Sequence, residues 1–448
     1  MRGYLASPQQ WTHNVTPTTI LPVPSESEAA LYRRVTWRLL PFLFCCYVVA
    51  YLDRVNVGFA KLQMLTDLQL SETAYGLGAG IFFIGYFLFE VPSNLILHRL
   101  GARVWIARIM ISWGVLSALT MFVTSASAFY SIRFALGLAE AGFFPGIVLY
   151  LTQWFPSTMR ARIIALFMTA VAISGVIGGP LSGWILRAMA GVNGWAGWQW
   201  LFFLEGIPSV VMGIAIFFYL DDSIDSARWL NASEKSLLHR NLERDAEKKQ
   251  TLSIADTFRN RRVLSFAALY FTFTMGLYGV GFWLPQIIKN MGVKSLLDVG
   301  LLSAIPYGVA AITMVLVARR SDHTGERRRY LAVSALCGGV GLALAGLAGQ
   351  HTMLGMLALT LGTTGVLTTF PLFWTLPTAF LSGASAAAGI AIINSLGNLS
   401  GFLSPYLVGA IADATGSATI GLYVLAASML VGAVFAQYYL PTQVEVTR

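Results

Sequence analysis

Long apolar stretches alternate with short polar joints along the whole chain. Twelve of these stretches hold the ~20 mostly apolar residues that a helix needs to cross a bilayer. They centre near residues 48, 85, 114, 139, 175, 209, 275, 308, 340, 364, 398 and 429. The pattern predicts an all-α membrane protein with twelve transmembrane helices. Residues 1–35 are polar and proline-containing, without a short apolar core or a small-residue cleavage site, and read as a cytoplasmic tail rather than a signal peptide. The stretch from Asp221 to Arg262 separates the sixth span from the seventh and holds 17 of the 51 charged residues. Ser233-x-x-Ser236 followed by spaced leucines predicts either a short amphipathic helix on the cytoplasmic face or a solvated linker that sets topology. The segmentation is a tail (1–35), six spans (36–220), a cytoplasmic central loop (221–262), six spans (263–440) and a cytoplasmic tail (441–448).

Composition agrees, with 56% hydrophobic and 11% charged residues and a mean hydropathy of +0.66. A net charge of +9 would suit nucleic acid, but its placement argues otherwise. With the N-terminus cytoplasmic, 24 of the 30 Lys and Arg fall on that side, as the positive-inside bias requires. The expected surroundings are therefore a lipid bilayer and no nucleic acid. Cys45, Cys46 and Cys337 all lie in spans, too few for a disulfide framework or a zinc site.

The two halves repeat each other. Gly101 in RLGARVW and Gly325 in HTGERRRY lie 224 apart, Pro180 in GVIGGPLSGWI and Pro405 in GFLSPYLVGAI lie 225 apart, and Phe144-Pro145 and Phe370-Pro371 lie 226 apart. Matched landmarks at nearly constant spacing predict two pseudo-symmetric six-helix bundles, an arrangement in which a binding site lies between the halves near mid-membrane. With the loop signature after spans two and eight, the chain resembles the major facilitator superfamily. AYLDRVNVG, IGYFLFEVPSN, RFALGLAEAGFFPGIVLYLTQWF, ARWL and INSLGNLSGFLSP resemble its anion:cation symporter family, especially tartrate, sugar-acid and aromatic-acid permeases. The resemblance spans residues from about 33 to 440. It implies a monomeric secondary transporter of the bacterial inner membrane, with no cofactor and protons as the coupling ion. It also implies that Asp322 helps to hold the cytoplasmic gate shut. The first half carries His98 at the corresponding position, so this latch is expected only in the second half.

Four ionisable residues interrupt apolar spans. Arg133 and Glu140 stand two helical turns apart with Gly137 between them, and Asp53 and Arg54 are adjacent in the first span. A charge at a helix centre costs about 2.5–3.5 kcal/mol on insertion scales, so such residues need partners or a role. The four sum to zero when all are charged, and protonating the carboxylates would expose up to two positive charges to an anionic substrate. Desolvation favours the neutral carboxyl, while an adjacent arginine favours the charged one. Arginine suits carboxylate recognition because its planar fork donates bidentately. The expectation is that Arg54 and Arg133 bind substrate or relay charge and that Asp53 and Glu140 carry protons; the competing reading is two internal ion pairs that fix helix packing. Glu90 and Glu205 are expected to partner loop arginines or helix ends.

The second half offers neutral groups. Asn394, Asn398, Gly401 and Pro405 recur on one face of the eleventh span, where the two amides suit either a substrate or interhelical bonding. Trp374 is a candidate to stack on substrate, or else packs between helices; Tyr51 shares the face of Arg54, and the resemblance places Tyr86 near the site. Gly179, Pro180 and Pro405 are expected to be gating bends. Together these features predict a proton symporter importing a tartrate- or sugar-acid-type carboxylate. An aromatic carboxylate (phthalate or hydroxyphenylacetate type) as cargo and organic-anion exchange are the alternatives, and a non-transporting membrane sensor is the weakest. No nucleophile constellation, metal-ligand spacing or phosphate loop points to an enzyme.

Overall fold

The computed structural model describes residues 26–247, 259–380 and 384–440. Helices α1 (Glu26–Asp67), α2 (Glu72–Leu100), α3 (Ala102–Leu119), α4 (Ala126–Glu140), α5 (Phe143–Thr152), α6 (Ser157–Met168), α7 (Ala170–Ala188) and α8 (Gly197–Tyr219) form the first half. α9 (Ala232–Glu247) lies in the central loop. The second half holds α10 (Arg261–Asn290), α11 (Leu296–Thr324), α12 (Arg327–Leu347), α13 (Thr352–Phe380), α14 (Ala384–Asn398), α15 (Ser400–Thr415) and α16 (Thr419–Tyr439). The end of the bundle that carries α9 is called the near face below, and the other end the far face.

Eleven spans among the described residues are long and apolar enough to cross a membrane. The remaining expected stretch, the eleventh in chain order, runs as α14 and α15 on either side of Leu399. Thr274 of α10 stands at this junction, its hydroxyl 2.9 Å from the Gly397 carbonyl and accepting from Ser400 Oγ at 2.7 Å. Leu399 itself keeps helical dihedrals, φ −60° and ψ −23°, so Thr274 and Ser400 tie α10 to a slight irregularity of a continuous helical path. The fourth span breaks, between α4 and α5. There Ala141 is extended and Gly142 takes φ +88°, and a side chain at Gly142 would collide with Ser93. Glu140 therefore ends a helix segment inside the bundle.

The halves meet along α1 and α10, α2 and α15, and α7 and α11. Gly76 abuts the backbone of Pro405, and Gly300 abuts that of Gly179. Gly76 and Gly300 are 224 apart, so each half supplies one copy of the same contact. Without a Cβ the backbones approach closely, which seals the far face. Gly179, Pro180 and Pro405 accordingly lie in helices of this seam. Asp413 reinforces it by accepting from the backbone N–H groups of Glu72 and Thr73 at 3.1 and 2.8 Å, at the N-terminus of α2.

On the near face α9 begins at a capping box. Asn231 Oδ1 accepts from Glu234 N, and Glu234 Oε2 accepts from Asn231 N, both at 2.9 Å. Asn231, rather than Ser233, opens the helix. Arg34 pairs with Glu234 at 2.6 Å, and Asn241 donates to Glu28 at 2.6 Å, which docks α9 on the first turns of α1. The Asn231 N–H and the Arg34 guanidinium hold the Glu234 carboxyl below its ordinary pKa. Asp322 pairs with Arg327 at 2.7 Å. The first half has a carboxylate at the equivalent place after all: Asp222 accepts from Arg103 N at 2.9 Å, with Arg103 Nε 3.3 Å away. It comes from the segment after α8, so the loop signature alone did not reveal it.

Candidate functional site

A cavity of about 20 Å³, room for about one water, lies between the halves. Tyr47, Tyr51 and Arg54 from α1, Tyr86 from α2, Tyr278 from α10, and Asn394 and Asn398 from α14 contribute its polar wall. Phe144, Tyr270 and Phe370 add rings. Arg54, 5% exposed, forms an ion pair with Glu140, brought opposite it by the break at the end of α4. Arg54 Nη1 also donates to Tyr278 Oη at 3.4 Å, and Tyr278 donates to Asn398 Oδ1 at 2.8 Å. One chain of contacts thus runs Glu140, Arg54, Tyr278, Asn398 from the first half into the second. The Tyr51 hydroxyl and Arg54 Nε are buried without a partner beside it.

Arg133 is fully buried, but no carboxylate lies within ionic contact of it among the described residues. It donates to the carbonyls of Gly78 and Ala79 at 3.4 and 3.3 Å and lies 5.0 Å from the Phe82 ring, leaving Nη1 unpartnered. The gap left by Gly137 is filled by the α2 backbone at Phe82 and Tyr86, so it brings helices together rather than opening space for a ligand.

Asp53 departs from expectation. Its carboxylate meets neither arginine and turns away from the cavity, where Trp113, Ser117, Ser209 and Asn56 donate to it. Adjacent residues on a helix point about 100° apart, which carries Asp53 toward α3 and α8 while Arg54 faces the second half. Glu90 and Glu205 also depart, since neither meets a loop arginine. Glu90 accepts from Asn394 Nδ2 at 2.8 Å and from Ser395, across the seam between α2 and α14. Glu205 accepts from Ser182 at 2.7 Å inside the first half. The interhelical role of Glu90 could not be read from FLFEVPSN, because its donors lie about 300 residues away. Trp374 stands one layer behind the wall, its ring 5.8 Å from Phe144 and 5.0 Å from Tyr270, while Phe370 reaches the cavity.

The arrangement can hold an anion against Arg54 provided Glu140 gives up its place. Hydroxyls and amides around it would receive further polar groups of a ligand. No group of three or more His, Cys, Asp or Glu suited to a metal occurs among the described residues.

Comparison with known proteins places this geometry in context. The sequence profile described as Major Facilitator Superfamily matches residues 43–405. A protein of Agrobacterium vitis named "Putative tartrate transporter" is 49% identical over 92% of this chain and 94% of its own. A Pseudomonas putida protein named "Putative metabolite transport protein NicT" is 48% identical over 90% and 92%. Among solved structures, the partially occluded inward open conformation of the xylose transporter XylE from E. coli superposes with a TM-score of 0.70 at 15% identity, over 90% of this chain and 98% of that one.

Proposed function

The chain belongs to the Major Facilitator Superfamily, whose members are transporters and not enzymes, and from that premise we propose that it imports a small organic carboxylate together with protons by alternating access. The observation that carries this reading is the ion pair that Arg54, on the cavity wall, forms with Glu140. A substrate carboxylate and Glu140 compete for one guanidinium. Protonating Glu140 removes its negative charge and frees the planar fork of Arg54 for bidentate binding. Arg133, with no carboxylate partner among the described residues, adds to the positive field that draws the anion in.

A tartrate- or sugar-acid-type cargo fits the four tyrosine hydroxyls and two asparagine amides around Arg54, and the similarity to a relative named for tartrate supports it. In this reading Tyr51, Tyr86, Asn394 and Asn398 bind the substrate hydroxyls and Trp374 backs the wall. Asp53 acts as a second proton-linked carboxyl from behind α1. Gly179, Pro180 and Pro405 govern the far-face seal, and Asp322 braces the near face. The far face is periplasmic and both termini are cytoplasmic, in line with the 24 of 30 basic residues on that side. The protein works as a monomer in the inner membrane, without a cofactor. An aromatic carboxylate is the second reading, favoured by the rings of Phe144, Tyr270 and Phe370 in the wall.

The test is uptake of labelled sugar acids and aromatic acids into proteoliposomes, with and without an inward proton gradient, for wild type and Glu140→Gln. Accumulation that needs the gradient, with exchange but no accumulation by the variant, supports the proposal. Uptake that ignores the gradient and requires a trans anion or sodium refutes it.

A further inference from the structure

Behind α1, on the side away from the cavity, two carboxyls share one buried polar cluster. Asp53 Oδ2 accepts from Trp113 Nε1 at 2.6 Å and from Ser209 at 3.1 Å, while Oδ1 accepts from Asn56 Nδ2 at 3.2 Å and from Ser117. An indole N–H only donates, and four donors around one carboxyl suit its ionised form. No cation is in contact with it among the described residues. Glu205, 3% exposed, stands one turn before Ser209 on α8 and accepts from Ser182 through Oε1. Among the described residues its Oε2 has no hydrogen-bond partner, and neither does Asn56 Oδ1. The Asn56 side chain reaches Glu205 as well as Asp53.

Two buried acceptors without a donor on neighbouring side chains would both be satisfied by one proton. We propose that Glu205 is a third proton-binding carboxyl of the first half, after Glu140 and Asp53: it carries the proton in this conformation, donates to Asn56, and shares that single proton with Asp53. Two carboxyls in one buried site do not both ionise readily, so one proton serves the pair. When the proton resides on Asp53, a half-turn of the Asn56 amide presents its oxygen to Asp53 and its N–H to Glu205. Either arrangement leaves no orphan at Asn56. Asp53 of α1 is the ionisable group that faces Glu205; α3 presents Trp113 and Ser117, and α7 presents Ser182. Beyond Asp53, on the cavity side of α1, stands Glu140. Because Arg54 follows Asp53 directly in α1, the proton's position bears on the residue that meets substrate.

The functional arm of this inference rests on the proton-symport reading, but its main test does not. Infrared spectroscopy of the purified full-length protein in lipid at neutral pH should show a carboxylic-acid C=O band. Glu205→Gln should remove one component of it, and Ser182→Ala, which deletes the hydrogen bond to Oε1, should move the same component without removing it. A Glu205→Gln spectrum identical to wild type overturns the proposal, as does a Ser182→Ala spectrum identical to wild type should Glu205→Gln fail to fold. In proteoliposomes, Glu205→Gln should displace the pH profile of gradient-driven uptake while counterflow exchange persists. An undisplaced profile refutes the coupling role. Gradient-independent uptake by wild type counts against proton symport and leaves the infrared result standing.

Discussion

Arg54 and Tyr278 touch at 3.4 Å although they lie 224 positions apart, the same interval that separates the paired loop glycines Gly101 and Gly325. They are counterparts in the two repeats, and they meet where α1 and α10 cross between the halves. Gly58 lies against the backbone of Phe282, a second pair at the same interval. On this axis the first half supplies a cation and the second a hydroxyl, so the fold is pseudo-symmetric while its chemistry is not.

Tyr278→Phe should therefore weaken substrate affinity without abolishing ion pairing. It removes the acceptor for Arg54 and the donor for Asn398, and leaving a buried polar group unpaired costs about 1–3 kcal/mol. Affinity measured by calorimetry or a binding-linked thermal shift should fall by about 5- to 150-fold. An unchanged affinity would remove Tyr278 from the site.

Glu90 ties α2 to α14 through Asn394 and Ser395, close to the near face of the cavity. Asn394→Ala strips one donor from a fully buried carboxyl, so the seam should loosen by about 1–3 kcal/mol. A double-mutant cycle with Glu90→Gln, read by thermal unfolding in detergent, should return a coupling energy of about 0.5–3 kcal/mol. Strict additivity would show that the contact does not hold the halves together.

Gly179→Ala inserts a methyl group 2.5 Å from the Gly300 carbonyl oxygen. Backbone must move, at about 1–3 kcal/mol, and the far-face seal pays most of it. Spin labels at Ala190 and Lys294 should report a population with a longer separation than in wild type. Identical distance distributions would mean that this seam tolerates the insertion and is not the part that opens.

The lowered pKa of Glu234 fixes the sign of a pH effect on α9. A carboxyl depressed by the folded state contributes stability that is complete above its ordinary value, about 4.3, and is lost as pH falls through the lower folded value. Docking of α9 on α1 should therefore persist at pH 5 and fail only in stronger acid. Hydrogen exchange corrected for intrinsic rates should show α9 amides protected at pH 5 and deprotected in Glu234→Gln; equal protection in the variant would assign docking to Asn241 instead.

The order of spans, the two repeats and the intramembrane charges were legible because bilayer insertion imposes a local rule: about 20 apolar residues per helix, with any exception conspicuous. Arg54 and Glu140 stood out on these grounds, Tyr51, Asn394 and Asn398 by their spacing on a helix face, and Tyr86 through the family resemblance; the fold gathers them around one cavity. The partners of Asp53, Glu90 and Glu205 were not legible. Each carboxyl finds donors on other helices: Asp53 on α3 and α8 besides Asn56 of its own helix, Glu90 on α14, Glu205 on α7. A one-dimensional pattern assigns a residue to a helix face, but not the face that packs against it.

The sequence by itself thus determined a membrane-embedded, twice-repeated helical chain with paired charges in its first half, because hydrophobic length and repeat spacing act along the chain. Only the tertiary structure decided that Arg54 takes Glu140 while Asp53 is surrounded by neutral donors. A 100° turn between neighbours on α1 sends one side chain to the seam between the halves and the other into the interior of the first half. The break at Gly142 was likewise settled in three dimensions, where Ser93 on a neighbouring helix packs against the interrupted backbone.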